Sequence, residues 1–224
     1  MQTSSETPDT VGSFPFFADE QEMEISNIRR WTKGEYYKMA ELGFFCGMKV
    51  ELMEGEVIVN TDYEITRNRD EVVMVMNSPH AVVIRLVIEA LRKFFDNGFL
   101  IDSQLPLDFG DVSEPQPDLA VVAGKPRDYI NSHPKTALLV VEVSDTTLRF
   151  DRTRKASLYA AHDIQDYWIV NLRKRHLEVY RRPMQDENAF YGFSYAEAFI
   201  YTENETASPL AAPKTKIKIA DLLP

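Results

Sequence analysis

The spacing of apolar positions changes several times along this chain, and each change marks an element. Thr32-Lys33-Gly34-Glu35 has the form of a capping box, where a hydroxyl and a carboxylate satisfy the free amides of a helix start. It predicts a helix to about Leu42, closed near Gly43. Val50–Met53 and Glu56–Val59 flank Glu54-Gly55, which predicts a β-hairpin. The stretch from Thr61 to Asn77 is polar at its centre and predicts no definite element. Ser78-Pro79 then reads as an N-cap with Pro at the first helical position. Val82, Val83, Leu86, Val87, Ala90, Leu91, Phe94 and Phe95 follow at helical spacing, with Gly98 as the stop.

Strand-length runs come next: Leu100 to Phe109, Asp118 to Val122, and Thr136 to Val143. The last is apolar on both faces until Glu142, as in a strand covered on both sides. A helix is expected from about Asp151 to His162, then strands at Asp166–Val170 and His176–Arg181. Phe190–Tyr201 and Lys214–Ile219 are further strand candidates. The central order αβββαβ predicts an α/β (α+β) fold with helices flanking a mixed sheet, an N-terminal helix and hairpin before it and C-terminal strands after it. Residues 1–27 are polar and acidic around the island Phe14-Pro15-Phe16-Phe17 and read as a flexible arm; 28–224 reads as a single domain.

The 224 residues suit one good-sized domain. A lone cysteine, Cys46, excludes an intrachain disulfide and a cysteine-based zinc site, and reads as a small buried hydrophobe. The first residues lack the basic start and apolar run of a secretory signal, and no apolar stretch is long enough for a membrane span. A cytoplasmic protein without a membrane partner is expected. The net charge of -10 argues against non-specific coating of nucleic acid. Its distribution changes that picture: residues 149–182 hold nine bases against four acids, while the rest of the chain is acidic. A phosphate substrate therefore stays compatible, with weak, salt-sensitive and locally steered binding.

The informative acids stand in apolar surroundings. Asp118 follows Pro117 and opens an otherwise apolar strand, and Glu142 lies late in the most hydrophobic strand. Burying an ionised carboxylate costs several kcal/mol unless it is paired or binds a cation. Two such acids on successive strands can converge, and a carboxylate pair with open positions suits Mg²⁺. Thirteen residues after Glu142 comes Lys155, sharing one helix face with Tyr159 and His162. A lysine there can orient a metal-bound water and stabilise charge on phosphate.

With this order of elements, Pro117-Asp118 and Glu142, the chain resembles the PD-(D/E)XK nuclease superfamily. More closely it resembles the Uma restriction-endonuclease family. The similar segments include 50–56, Pro79-His80, 104–107, 115–122, 140–144, 151–155, 158–160, 166–170 and 219–223. The resemblance implies a restriction-endonuclease-like core and a metal-dependent endonuclease acting on DNA with Mg²⁺ (or Mn²⁺). Asp118 and Glu142 match the metal carboxylates, and Glu51 matches an early acidic position of the site. Lys155 matches a lysine moved to the following helix, because Ser144 holds the position where the superfamily expects it. His80 and Gln104 match positions near the site. Ala161-His162-Asp163 and Asn171 depart from the family pattern without touching these ligands.

Blander readings stand beside these. Pro117-Asp118 is also a turn signal, and Glu142 a strand-end acid facing solvent. Glu51 neighbours Glu54 and Glu56, any of which can simply be exposed. His80 is a capping or packing histidine beside the core-like Ile84, Val87 and Leu91; Tyr159 and Trp168 are core aromatics. Arg149, Arg152, Arg154 and Lys155 can be a solvated helix face. The alternative function is a catalytically inactive binding or assembly protein on a nuclease fold. A homodimer that cuts two strands stays open, with the segment from Phe190 to Phe193 as an interface candidate.

Overall fold

The computed structural model describes residues 29–59, 63–68, 71–76 and 78–224, so the expected arm at 1–27 lies outside the described residues. Helix α1, Lys33–Glu41, starts as its sequence requires: the Thr32 hydroxyl accepts from the Glu35 amide, and the Glu35 carboxylate accepts from the Thr32 amide. The hairpin follows as β1, Val50–Met53, and β2, Glu56–Val59, paired antiparallel. Gly55 in its turn has φ +76°, and a Cβ there would stand 2.6 Å from Arg30 Cβ, so only glycine fits. The segment without a predicted element forms a second antiparallel hairpin, β3 (Tyr63–Asn68) and β4 (Glu71–Met76).

Helix α2, Ser78–Arg92, ends earlier than the Gly98 stop, and the amides of Phe94 and Phe95 turn back onto Leu91 O at 2.9 Å. Then come β5 (Phe99–Ser103), β6 (Leu119–Ala123) and β7 (Leu139–Ser144). The expected strand to Phe109 stops at Ser103 because Gln104 takes a left-handed φ of +55°. A continuous helical crossover, α3, follows: α-helical at Leu148–Phe150, π-helical at Asp151–Lys155 and α-helical at Ala156–Ala161. It leads to β8 (Asp166–Asn171), β9 (His176–Gln185) and β10 (Phe193–Thr202). Short strands β11 (Thr206–Ala207) and β12 (Ile217–Lys218) pair antiparallel, β12 much shorter than the candidate run from Lys214 to Ile219, and a 3-10 turn at Ile219–Leu222 ends the order of elements.

The main sheet is mixed and six-stranded, ordered β10-β9-β8-β7-β6-β5. Every neighbouring pair is antiparallel except β7 and β8, which are parallel and so need the crossover helix between them. The helix, three strands, helix and strand of the sequence reading are thus α2, β5, β6, β7, α3 and β8.

The sheet is apolar on both faces. Leu119, Val121, Leu139, Val141, Val143, Trp168 and Val170 pack on the side of α2 with Val83, Val87 and Leu91. Ala120, Val122, Val140, Tyr167 and Ile169 pack on the other side with Leu158 and Tyr159 of α3. Alternation along a strand then fixes the acids. Asp118 shares parity with Ala120 and Val122, and Glu142 with Val140, so both belong to the α3 face. Cys46 is not a buried hydrophobe: it is exposed in the turn after α1, which gives it no core to join.

Candidate active site

Asp118 and Glu142 meet because β6 and β7 are antiparallel, with Leu119 opposite Val141. The Asp118 amide donates to Glu142 Oε2 at 3.3 Å, and the Val143 amide donates to Asp118 Oδ2 at 2.9 Å. Both acids are buried, which removes the reading of Glu142 as a solvent-facing acid. The N-terminus of α2 brings His80, whose Nε2 stands 3.1 Å from Asp118 Oδ1. Gln104 offers its side-chain amide to the same oxygen at 3.5 Å, from the left-handed position that ends β5.

Lys155 arrives from the π turn of α3. Its Nζ lies 3.0 Å from Glu142 Oε1 and 3.0 Å from Glu51 Oε2. Glu51 is buried on β1 and also accepts from the Gln116 amide at 3.0 Å. Tyr159 donates its hydroxyl to Glu142 Oε1 at 2.7 Å, so it is a core aromatic with a polar duty in the site. His162 stacks on Phe109 with centroids 4.2 Å apart, near Glu54, and the same Phe109 ring meets Tyr159 edge-on. The three sequence-predicted principals, Asp118, Glu142 and Lys155, are therefore together, joined by Glu51, His80 and Gln104.

Sequence reasoning missed Asp151. It is buried at the start of the π turn, lines the same cleft, and accepts from the Thr147 hydroxyl at 2.7 Å. Only its place beside the lysine motif could have signalled it. Ser144 is fully buried at the end of β7, and its hydroxyl meets no hydrogen-bond partner among the described residues.

The electrostatics follow from three carboxyls, Glu142, Glu51 and Asp151, gathered around Lys155, with Asp118 beside them held by His80. Burial and the neighbouring acids Asp118, Asp151 and Glu51 push Glu142 up to about 8, against the pull of Lys155. Burial also raises Asp151, to about 6. Burial opposes charge on Asp118 as well, but the hydrogen bond and charge of His80 and the Val143 amide outweigh it and hold its carboxyl below the usual range. Burial disfavours a charged Lys155, yet Glu142, Glu51 and Asp151 keep it firmly protonated.

This donor set suits a hard divalent cation. Two adjacent oxygen ligands face an open cleft of about 590 Å³, in a site short of positive charge. Among the described residues no three His, Cys, Asp or Glu are grouped as a metal cage. An ion at Asp118 and Glu142 would thus complete its shell mainly with water, as Mg²⁺ does.

The basic residues of α3 divide. Arg152 makes a two-pronged pair with buried Glu178 at 2.7 and 2.8 Å, and Arg154 pairs with Glu56. Arg149 is exposed and lines the cleft. Among the described residues no helix is long and apolar enough to cross a membrane.

The family Uma2, described as "Putative restriction endonuclease", matches residues 35–220. A crystal structure of a putative nuclease from Anabaena variabilis is similar in fold: TM-score 0.53 and 15% identity, covering 77% of this chain and 88% of that one. No curated protein matches the chain.

Proposed function

The chain belongs to the Uma2 family of putative restriction endonucleases, and from that premise we propose a metal-dependent endonuclease that hydrolyses DNA phosphodiester bonds. Membership supports a nuclease-like function in general terms; Mg²⁺ or Mn²⁺ dependence and the residue roles are our own reading. The observation that carries it is the convergence of Asp118, Glu142 and Lys155 at the floor of one open cleft.

Asp118 and Glu142 would hold the cation. When bound, such an ion polarises the scissile phosphate and makes its water a better nucleophile. His80 and the Val143 amide fix the Asp118 carboxylate, so its open edge keeps one orientation. Lys155 keeps its proton and presents it to the attacking water or to charge gathering on the phosphate. Glu51 and Glu142 set the lysine's position between them. Water adds to phosphorus as the bond to the leaving ester oxygen breaks; the water's proton passes to solvent and the leaving oxygen takes one from solvent, giving a phosphomonoester and a free hydroxyl. Cytoplasmic location and a homodimer, one site per strand, belong to the same proposal; light scattering that finds only a monomer would remove the dimer.

The test is cleavage of plasmid DNA with Mg²⁺ or Mn²⁺ by the wild type, Asp118→Ala and Lys155→Ala. Cleavage by the wild type alone is expected. Cleavage surviving both substitutions would reject the site, and no wild-type cleavage in any divalent ion would leave the non-catalytic binding protein.

A further inference from the structure

Above its charged floor the cleft has a different wall. Ile58 and Val59 of β2, Phe150 of α3 and Phe190 from the β9–β10 connection line it, with Arg149 and Arg154 among them. The phosphates of a nucleic-acid backbone offer no apolar surface to such a wall, whereas the flat face of a nucleobase turned out of its stack does. We propose that this wall is a stacking site for an unpaired nucleobase beside the scissile phosphate, with Phe190 as its platform. The preferred substrate is then DNA carrying an unpaired or single-stranded nucleotide. The inference rests on the nuclease reading for the word substrate, but the stacking site stands on its own geometry.

Phe190 is 56% exposed and lines the cleft, so its ring is open to a ligand. Its backbone is nevertheless held. Asp186 donates its amide to Gly192 O at 2.9 Å, Ala189 to Asp186 O at 2.9 Å, and Gly192 to Ala189 O at 3.1 Å. Next door, the Tyr191 amide donates to Ser157 Oγ at 2.8 Å, and that hydroxyl donates to Phe193 O at 2.7 Å, which ties the connection to α3. The Arg154 guanidinium lies over the Phe190 ring at 4.2 Å from its centroid, itself anchored by Glu56. A ring held in this way is ready to stack without a large ordering cost. Arg149, exposed on the same wall, supplies charge for the neighbouring phosphate.

The test uses the full chain without divalent ions and three labelled DNAs of one sequence: a perfect duplex, the same duplex with one extra unpaired adenine, and the single strand. Anisotropy gives affinities, and 2-aminopurine at the unpaired position reports stacking through quenching. The wild type is expected to prefer the unpaired forms and to quench 2-aminopurine. Phe190→Ala should cut that preference roughly 5- to 100-fold, as loss of one base–aromatic stack does, while Phe190→Trp keeps it. Equal wild-type affinity for all three DNAs, or an equal loss for all three in Phe190→Ala, overturns the proposal. Adding Mn²⁺ separates the two readings. Preference without cleavage keeps the stacking site and rejects the nuclease; cleavage without preference does the reverse.

Discussion

Lys155, thirteen positions after Glu142 in the chain, reaches it from a helix, with Nζ 3.0 Å from Oε1. Among the described residues its other close ion pair is with Glu51, from a separate hairpin. Removing the ammonium leaves two buried carboxyls facing each other. Lys155→Met is expected to cost about 3–5 kcal/mol, at the lower end because Glu142 can take a proton instead. Thermal unfolding checks this, and millimolar Mn²⁺ should raise the melting temperature of Lys155→Met more than that of the wild type. An unchanged melting temperature without metal would show that the pair contributes nothing.

In the proposed metal site His80 would act on the cation through Asp118, whose Oδ1 lies 3.1 Å from its Nε2. His80→Ala is expected to lower Mn²⁺ affinity about 10- to 100-fold, as loss of such a supporting hydrogen bond does. Calorimetric titration measures it, with circular dichroism confirming the fold. Wild-type affinity in His80→Ala would remove the positioning role.

Glu178 gives the pH dependence of stability. Burial opposes its charge, but Arg152, Asn171, His176 and Tyr180 all bond its carboxylate and hold it down at about 2. A carboxyl with a depressed folded-state pKa stabilises fully above its unfolded value, near 4.5, and loses that contribution as pH falls towards 2. Urea unfolding between pH 6 and pH 2.5 should therefore show a fall of up to roughly 3 kcal/mol from this group. Glu178→Gln should flatten that part of the profile; an unaltered slope would assign it elsewhere.

Leu91 and Leu42 compare a filled core with an exposed edge. Leu91 of α2 is fully buried, whereas Leu42 is 66% exposed. Leu91→Ala should cost about 2–5 kcal/mol and Leu42→Ala less than about 0.5 kcal/mol, by denaturant titration. Equal effects would contradict the placement of α2 on the sheet.

Much of this arrangement was legible because it depends on period and local chemistry. The Thr32–Glu35 capping box, the Gly55 turn and the both-faces-apolar β7 each encode their own geometry. The acids were legible for the converse reason, as charges in an apolar pattern. The β3–β4 hairpin was not, because its polar centre, Thr66-Arg67-Asn68, hides the strand alternation. Gln104 carried no sign that it would leave the strand, since a left-handed glutamine is set by its surroundings and not by its type. Asp151 entered the site through tertiary folding and looked like an ordinary helix residue until α3 was laid on β7, whereas Tyr159 was legible as sharing a face with Lys155.

The π turn at Asp151–Lys155 has a mechanical meaning beyond its place in the crossover. An α-helix advances about 100° per residue, so one residue held in a wider loop changes the angular phase of all that follows. Asp151 and Lys155 bracket that loop, and Tyr159 lies one turn beyond it. The loop thus works like a clutch: it lets the charged end of the helix be aimed independently of its packed end. Deleting one residue from Arg152 to Arg154 would re-engage the two halves and swing Asp151 out of the cleft, while Lys155, Leu158 and Tyr159, all beyond the deletion, kept their places.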